Sequence, residues 1–238
     1  MRSLLMAIAG LLLWAPVAAS AADRDEYAGI HTVAVVSAIG DSLHFTVAPR
    51  IFSLGGSDSL PISSWGIDPW LATQIAQTIG TRFSVKTIRV DTSAVARCDG
   101  REQCANALPR TDQIDAYIVA YKAVTPDPIS GNGDIFGLGM YHHQGLLGMA
   151  DVHSVYAIFA VAVVNARTGE IIDYGTAKLP EAHFLGEHLN PIQAIPESTW
   201  PDNPPVLTAD QQATVRQTLM RLIATTLPYA LHSAHLTP

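Results

Sequence analysis

Two stretches of this chain are apolar at every position instead of every second one. They are Ala116-Tyr117-Ile118-Val119-Ala120-Tyr121 and the longer Val155-Tyr156-Ala157-Ile158-Phe159-Ala160-Val161-Ala162-Val163-Val164. A strand with one face in water alternates polar with apolar, so an unbroken run rich in valine and aromatic residues predicts a strand buried on both faces. After the second run, Asn165-Ala166-Arg167-Thr168-Gly169 is turn chemistry and 170–179 returns as a strand, which predicts a hairpin.

The remaining segments must supply the rest of that sheet and its cover. His31 to Ile39 reads as a strand, Gly40-Asp41-Ser42 as a turn, and Leu43, Phe45 and Val47 alternate with His44 and Thr46, so a hairpin is expected over 32–48. The glycine- and serine-rich stretch 55–64 reads as a loop. Asp68 is a good N-cap and Pro69 suits a first turn; with Leu71, Ile75, Ile79 and Phe83 on one face they predict a helix over 69–83. A short strand over 85–90 and a short helix within 98–108 follow. Thr208 with Gln211 has the form of a capping box, opening a last helix with Val215, Leu219, Leu222 and Ile223 on one face, which Pro228 should end or kink. The expected architecture is α/β, one mixed sheet of about five to six strands covered by two long helices.

The N-terminus reads as an export signal. Arg2 gives a positive start, Leu4 to Val17 carries no charge, and Ala19-Ser20-Ala21-Ala22 offers small residues for a signal peptidase. The apolar run falls short of the about 20 residues that a spanning helix needs. Residues 1–22 are therefore expected to be removed, leaving 23–238 as a single domain. No later apolar run reaches spanning length, and no cysteine stands at the junction for lipid attachment. Removal of Arg2 takes the net charge from −7 to −8, and no basic cluster offsets it, which disfavours nucleic acid or anionic lipid as a partner. The expected location is the periplasm.

Cys98 and Cys104 are the two cysteines, with five residues between them. In an oxidising compartment such a pair predicts a disulfide. The spacing is wider than the Cys-x-x-Cys of redox centres, and no further ligands follow for zinc.

Ile39-Gly40-Asp41-Ser42-Leu43 resembles the first block of the Gly-Asp-Ser-Leu (SGNH) hydrolases. That resemblance implies Ser42 as a nucleophile, with a late histidine, His232 or His235, as its base. In that family the acid and base come as Asp-x-x-His near the C-terminus; here that spacing occurs only as Asp41-Ser42-Leu43-His44, overlapping the turn. Asn132 and Asp134 only loosely resemble the family's Gly-x-Asn-Asp block. Alternation after Ser42 also favours a strand where the family enters a helix, so Gly40-Asp41-Ser42 reads first as a turn.

No metal or cofactor is expected. His142 and His143 are adjacent and would face opposite ways on a strand. His183 and His188 flank a Glu187 in a pattern one residue longer than the inverted zinc-protease motif, and two positions five apart lie about 140° from each other around a helix. Gly137-Leu138-Gly139 lacks the third glycine or lysine of a phosphate loop.

The segment 115–179 resembles the α/β domain of envelope accessory proteins related to the TolB N-terminal domain, a fold shared by curli-secretion and penicillin-binding-protein-activator lipoproteins. The residues that carry this are Asp115 to Val119, Phe136 to Tyr141 and Tyr156 to Ile171, an apolar strand, a Gly/aromatic loop and a hairpin with Arg-Thr-Gly. The resemblance implies binding or assembly of an envelope protein rather than catalysis. The long stretch 125–152 is then the expected contact surface, through Phe136, Leu138, Met140, Tyr141, Leu146, Leu147 and Met149, unless those side chains fold back to extend the core. A proline-rich excursion over the surface is expected at 180–207.

Overall fold

The structure, a computed structural model, describes residues 27–48, 57–98, 100–126, 134–143, 151–179 and 191–238. The expected signal peptide, Asn132, Leu146, Leu147, Met149, His183 and His188 lie outside the described residues.

The fold is α/β, a mixed sheet curled into a half-barrel. Its strands are β1 (Thr32–Ala38), β2 (Ser42–Ala48), β3 (Ser57–Pro61), β4 (Ser84–Val85), β5 (Ala116–Lys122), β6 (Val124–Pro126), β7 (Asp134–His143), β8 (Val152–Asn165), β9 (Ile171–Thr176) and β10 (Ile192–Ala194). The helices are α1 (Ile67–Ile79), α2 (Thr92–Ala96), α3 (Arg101–Ala107) and α4 (Ala209–Ser233). The main path runs β3-β2-β7-β8-β5-β1-β4, with β6, β9 and β10 added at its sides.

The two continuous apolar runs are the centre of this sheet. Every residue of β5 is buried, as are Val155 to Val164 of β8. The 14-residue β8 is long enough to serve four partners. Its first half pairs with β7 and β10, and its second half with β5 and β9. The β8–β9 hairpin forms as expected, with Asn165 Oδ1 accepting from the amides of Arg167 and Thr168. Helices cover both faces. Leu71, Ile75 and Ile79 of α1 and Val215, Leu219 and Ile223 of α4 share one cluster with Ile118, Ala120 and Phe159. Val95 of α2 and Ala105 of α3 pack on Tyr117, Val119 and Ala162 from the other face.

Several expectations are corrected. The sheet has more strands than five to six, because the stretch expected to be a loop at 55–64 contains β3, and the long stretch 125–152 contains β7 and the end of β6. The expected hairpin over 32–48 does not form: β1 pairs in parallel with β4 and β5, while β2 pairs with β3 and β7. Both segments are strands, but each takes a non-local partner. Asp68 is not the N-cap of α1; Gly66 holds that position in a left-handed conformation, φ 69°. Beyond Val85 the stretch to Val90 does not continue as a strand. The capping box of Thr208 and Gln211 is present, yet α4 continues through Pro228 to Ser233 because Leu227, Ala230 and Leu231 are all buried in the core. Among the described residues no helix is long and apolar enough to cross a membrane.

Candidate functional site

The turn that leaves β1 is held by a single carboxylate. Asp68, in the first turn of α1, accepts from Ser37 Oγ at 2.7 Å, the Ile39 amide at 2.8 Å and the Gly40 amide at 3.1 Å. This fixes where Asp41 emerges. Lys122 closes the apolar run of β5, and its Nζ donates to both oxygens of Asp41 at 3.0 Å. The lysine side chain is only 6 % exposed and that of Asp41 is 36 % exposed. The stem of Lys122 crosses Gly137, where a Cβ would lie 2.9 Å from Lys122 Cδ and the backbone has φ +62°, so this position in β7 needs glycine on both counts. The Lys122 ammonium stands 5.1 Å from the centre of the Phe136 ring.

These groups border an open cleft of about 760 Å³, lined by Asp41, Lys122, Val124 and Phe136 and, from the turn after α2, Arg97 and Cys98. It lies at the carboxyl ends of the parallel pair β1 and β5, the end of an open α/β sheet where ligands characteristically bind.

Ser42, the first residue of β2, sits beside the cleft. Its hydroxyl donates to Asp41 Oδ1 at 3.2 Å and lies 3.3 Å from His44 Nε2. The His44 pKa is lowered by burial and then by the charge of Lys122, with Asp41 acting in the opposite sense. The imidazole packs edge-on against Phe136, ring centres 5.6 Å apart. A serine beside a neutral imidazole is the first half of a nucleophilic site. The second half is missing: Asp41 directs its oxygens to Lys122 and Ser42, and among the described residues no carboxylate hydrogen-bonds His44 to orient it. Ser42 is paired opposite Pro61 in a strand, not raised on the sharp strand-to-helix turn that exposes a nucleophile and its oxyanion donors.

The histidines expected to serve Ser42 are occupied elsewhere. His232 Nδ1 donates to the Pro238 carbonyl at 3.0 Å, and His235 Nδ1 pairs with Asp173 at 2.8 Å. His44 takes the position next to Ser42 instead. Among the described residues, no group of three or more His, Cys, Asp or Glu could hold a metal ion. Gly137 and Gly139 lie inside β7.

Cys98 and Cys104 form a near pair of buried thiols with no bond between them. Cys98 Sγ donates to the Ala94 carbonyl and Cys104 Sγ to that of Val95, both in α2. Burial, then the hydrogen bond with Cys98, pushes the Cys104 thiol well above its usual range, with Lys122 acting against it.

Of the expected contact surface, Leu138, Met140 and Tyr141 are fully buried in β7 and form core, while Phe136 is half-buried and lines the cleft. The sequence reading missed Lys122 and Asp41 as partners. The available signal was a lone cation ending six apolar residues, a position that demands a counter-charge once the strand is buried.

Fold and site together define an α/β protein with a half-buried ion pair at one end of a curled mixed sheet. No family model and no curated protein matches the chain. Among solved structures, the crystal structure of protein XCC0632 from Xanthomonas campestris, DUF330, is similar over 85% of this chain and 82% of that one, with 10% sequence identity and a TM-score of 0.33.

Proposed function

We propose that this chain is an exported, soluble, non-enzymatic envelope protein of TolB-N-like architecture that binds or assembles another envelope protein, with the Lys122 cleft as its contact site. The observation that carries this reading is the Asp41–Lys122 pair. Lys122 is buried and Asp41 is partly exposed to the cleft, and burying a charge costs more than an exposed ion pair returns in stability, so a pair set at the edge of an open cleft favours recognition. The rim supports the same reading, since Val124 is 49% exposed and Phe136 is half-buried beside the charges. A photo-crosslinking side chain placed at Val124 tests it in intact cells. A discrete adduct with one envelope protein, lost when Phe136 is changed to Ser in a variant that still folds, is the expected result. No adduct at Val124, or one indifferent to Phe136, overturns it.

One observation favours a second reading, a serine esterase. It is the 3.3 Å contact of Ser42 Oγ with His44 Nε2, which makes His44 the base. Short-chain ester hydrolysis by the purified protein, compared with Ser42→Ala and His44→Asn, separates the two. Turnover above background that both substitutions abolish establishes the esterase; equal background rates in all three remove it.

A further inference from the structure

The far end of the β7–β8 pair carries a second arrangement of titratable groups, apart from the cleft. His142 and His153 are opposite each other across β7 and β8, and their rings stack with centres 4.3 Å apart and planes 24° from parallel. Trp200 leans on both, at 5.2 Å from His142 and 5.6 Å from His153. Trp200 ends a strap, 191–200, that runs along β8. The strap bonds the Ala157 amide to the Pro191 carbonyl at 3.0 Å and the Ile195 amide to the His153 carbonyl at 2.9 Å, with β10 between them. Ile192 of the strap packs on the buried cluster that contains Tyr141 and Tyr156.

We propose that the His142–His153 stack is a proton-operated latch, and that charging both rings releases the strap 191–200 from β8. Two neutral imidazoles stack face to face at little cost, whereas two imidazoliums at that separation repel in a partly buried setting. The groups that act on the pair are Asp151, Glu197 and the rings themselves. His142 Nε2 lies 3.1 Å from Asp151, a carboxylate in contact with that ring. His153 has no such contact; burial, then the charge of His142, lowers its pKa, and Glu197 and Asp151 offset this only in part. His143, the next residue along β7, has a buried Nδ1 without a hydrogen-bond partner.

The direction follows from linkage. A freed strap lets His153 take its proton near the ordinary value of about 6.5, while the closed strap holds it neutral to lower pH. Closure is therefore complete above that value and weakens as pH falls below it. Release would leave the first half of β8 with one edge unpaired, because β10 is its partner on the side away from β7.

Hydrogen exchange of the mature chain tests the latch, read at the amides of Ala157 and Ile195. Between pH 7 and pH 5.5 their protection, corrected for intrinsic rates, is expected to fall by about tenfold or more while amides of β5 stay protected. His153→Phe, which stacks but cannot charge, should keep the strap closed at pH 5.5. Should that variant fail to fold, His142→Phe serves, since it removes the second charge of the repelling pair. Protection that persists in the wild type at pH 5.5, or that is lost equally in a folded Phe variant, overturns the proposal.

Discussion

Lys122 Nζ sits 3.0 Å from each carboxylate oxygen of Asp41, fastening the end of β5 to the turn that starts β2. The pair thus bridges β5 to β2 where no backbone ladder does. Removing one partner leaves the other charge with its desolvation uncompensated. Lys122→Ala is expected to lower the unfolding free energy by about 2–3 kcal/mol, less than for a fully buried pair, because Asp41 remains partly in water. Replacing both, as Lys122→Met with Asp41→Leu, should recover part of that loss. Urea unfolding of the three variants and the wild type measures both effects.

Asp68→Ala removes the acceptor for Ser37 Oγ and the Ile39 and Gly40 amides. Two backbone donors near the core then lose their partner, for an expected loss of about 2 kcal/mol. The turn that aims Asp41 should loosen as well, so exchange at the Gly40 amide should rise more than at amides of β8. Equal changes at both would show a general destabilisation and no local role for Asp68.

Gly175 of β9 lies tight against the backbone of α4. A Cβ there would lie 2.0 Å from the Ala230 carbonyl oxygen and 2.7 Å from the Ala234 amide nitrogen, backbone atoms that cannot turn aside. Gly175→Ala is expected to destabilise the fold by about 3 kcal/mol or more, the upper range for overpacking. The thermal midpoint checks it, and a loss under half that size would mean that α4 shifts freely.

Cys98 and Cys104 are expected to be joined in protein recovered from the periplasm, although the two thiols stand unbonded in the structure. Closing so short a loop should add about 2 kcal/mol to stability on the chain-entropy account. Alkylation without reductant followed by mass measurement decides it. Two alkylated thiols refute the bond, and reduction that leaves the thermal midpoint unmoved refutes its stabilising role.

His44 sets a pH dependence in the cleft. Its pKa is lowered in the folded chain by burial and by Lys122, so the unfolded chain binds the extra proton first. Stability should therefore hold above about pH 6.5, the unfolded value, and decline as pH falls from there toward the lower folded value. In His44→Gln that part of the decline should vanish. Thermal midpoints between pH 8 and pH 5 in both proteins give the comparison, and identical slopes would exclude His44 as its source.

Elements whose signal is local are legible in the chain. Unbroken apolar runs marked β5 and β8, apolar spacing marked α1 and α4, and Thr208 with Gln211 marked where α4 begins, because each depends on burial or bonding within a few residues. Which strand pairs with which is settled by packing between distant segments. The alternation at 42–48 is equally compatible with β1 or β7 as neighbour, and strand period carries no address. In sequence, Phe136 to Tyr141 has the character of a Gly/aromatic loop, since glycine is a poor strand former in isolation. In the fold Gly137 and Gly139 are required by the stem of Lys122 and the ring of Tyr156, which pass within 2.9 Å and 2.2 Å of where a Cβ would stand. The candidate site was legible only in part, as Asp41 and Ser42 in a turn. Lys122 is 81 residues away in sequence, and nothing local shows which carboxylate a buried ammonium will find.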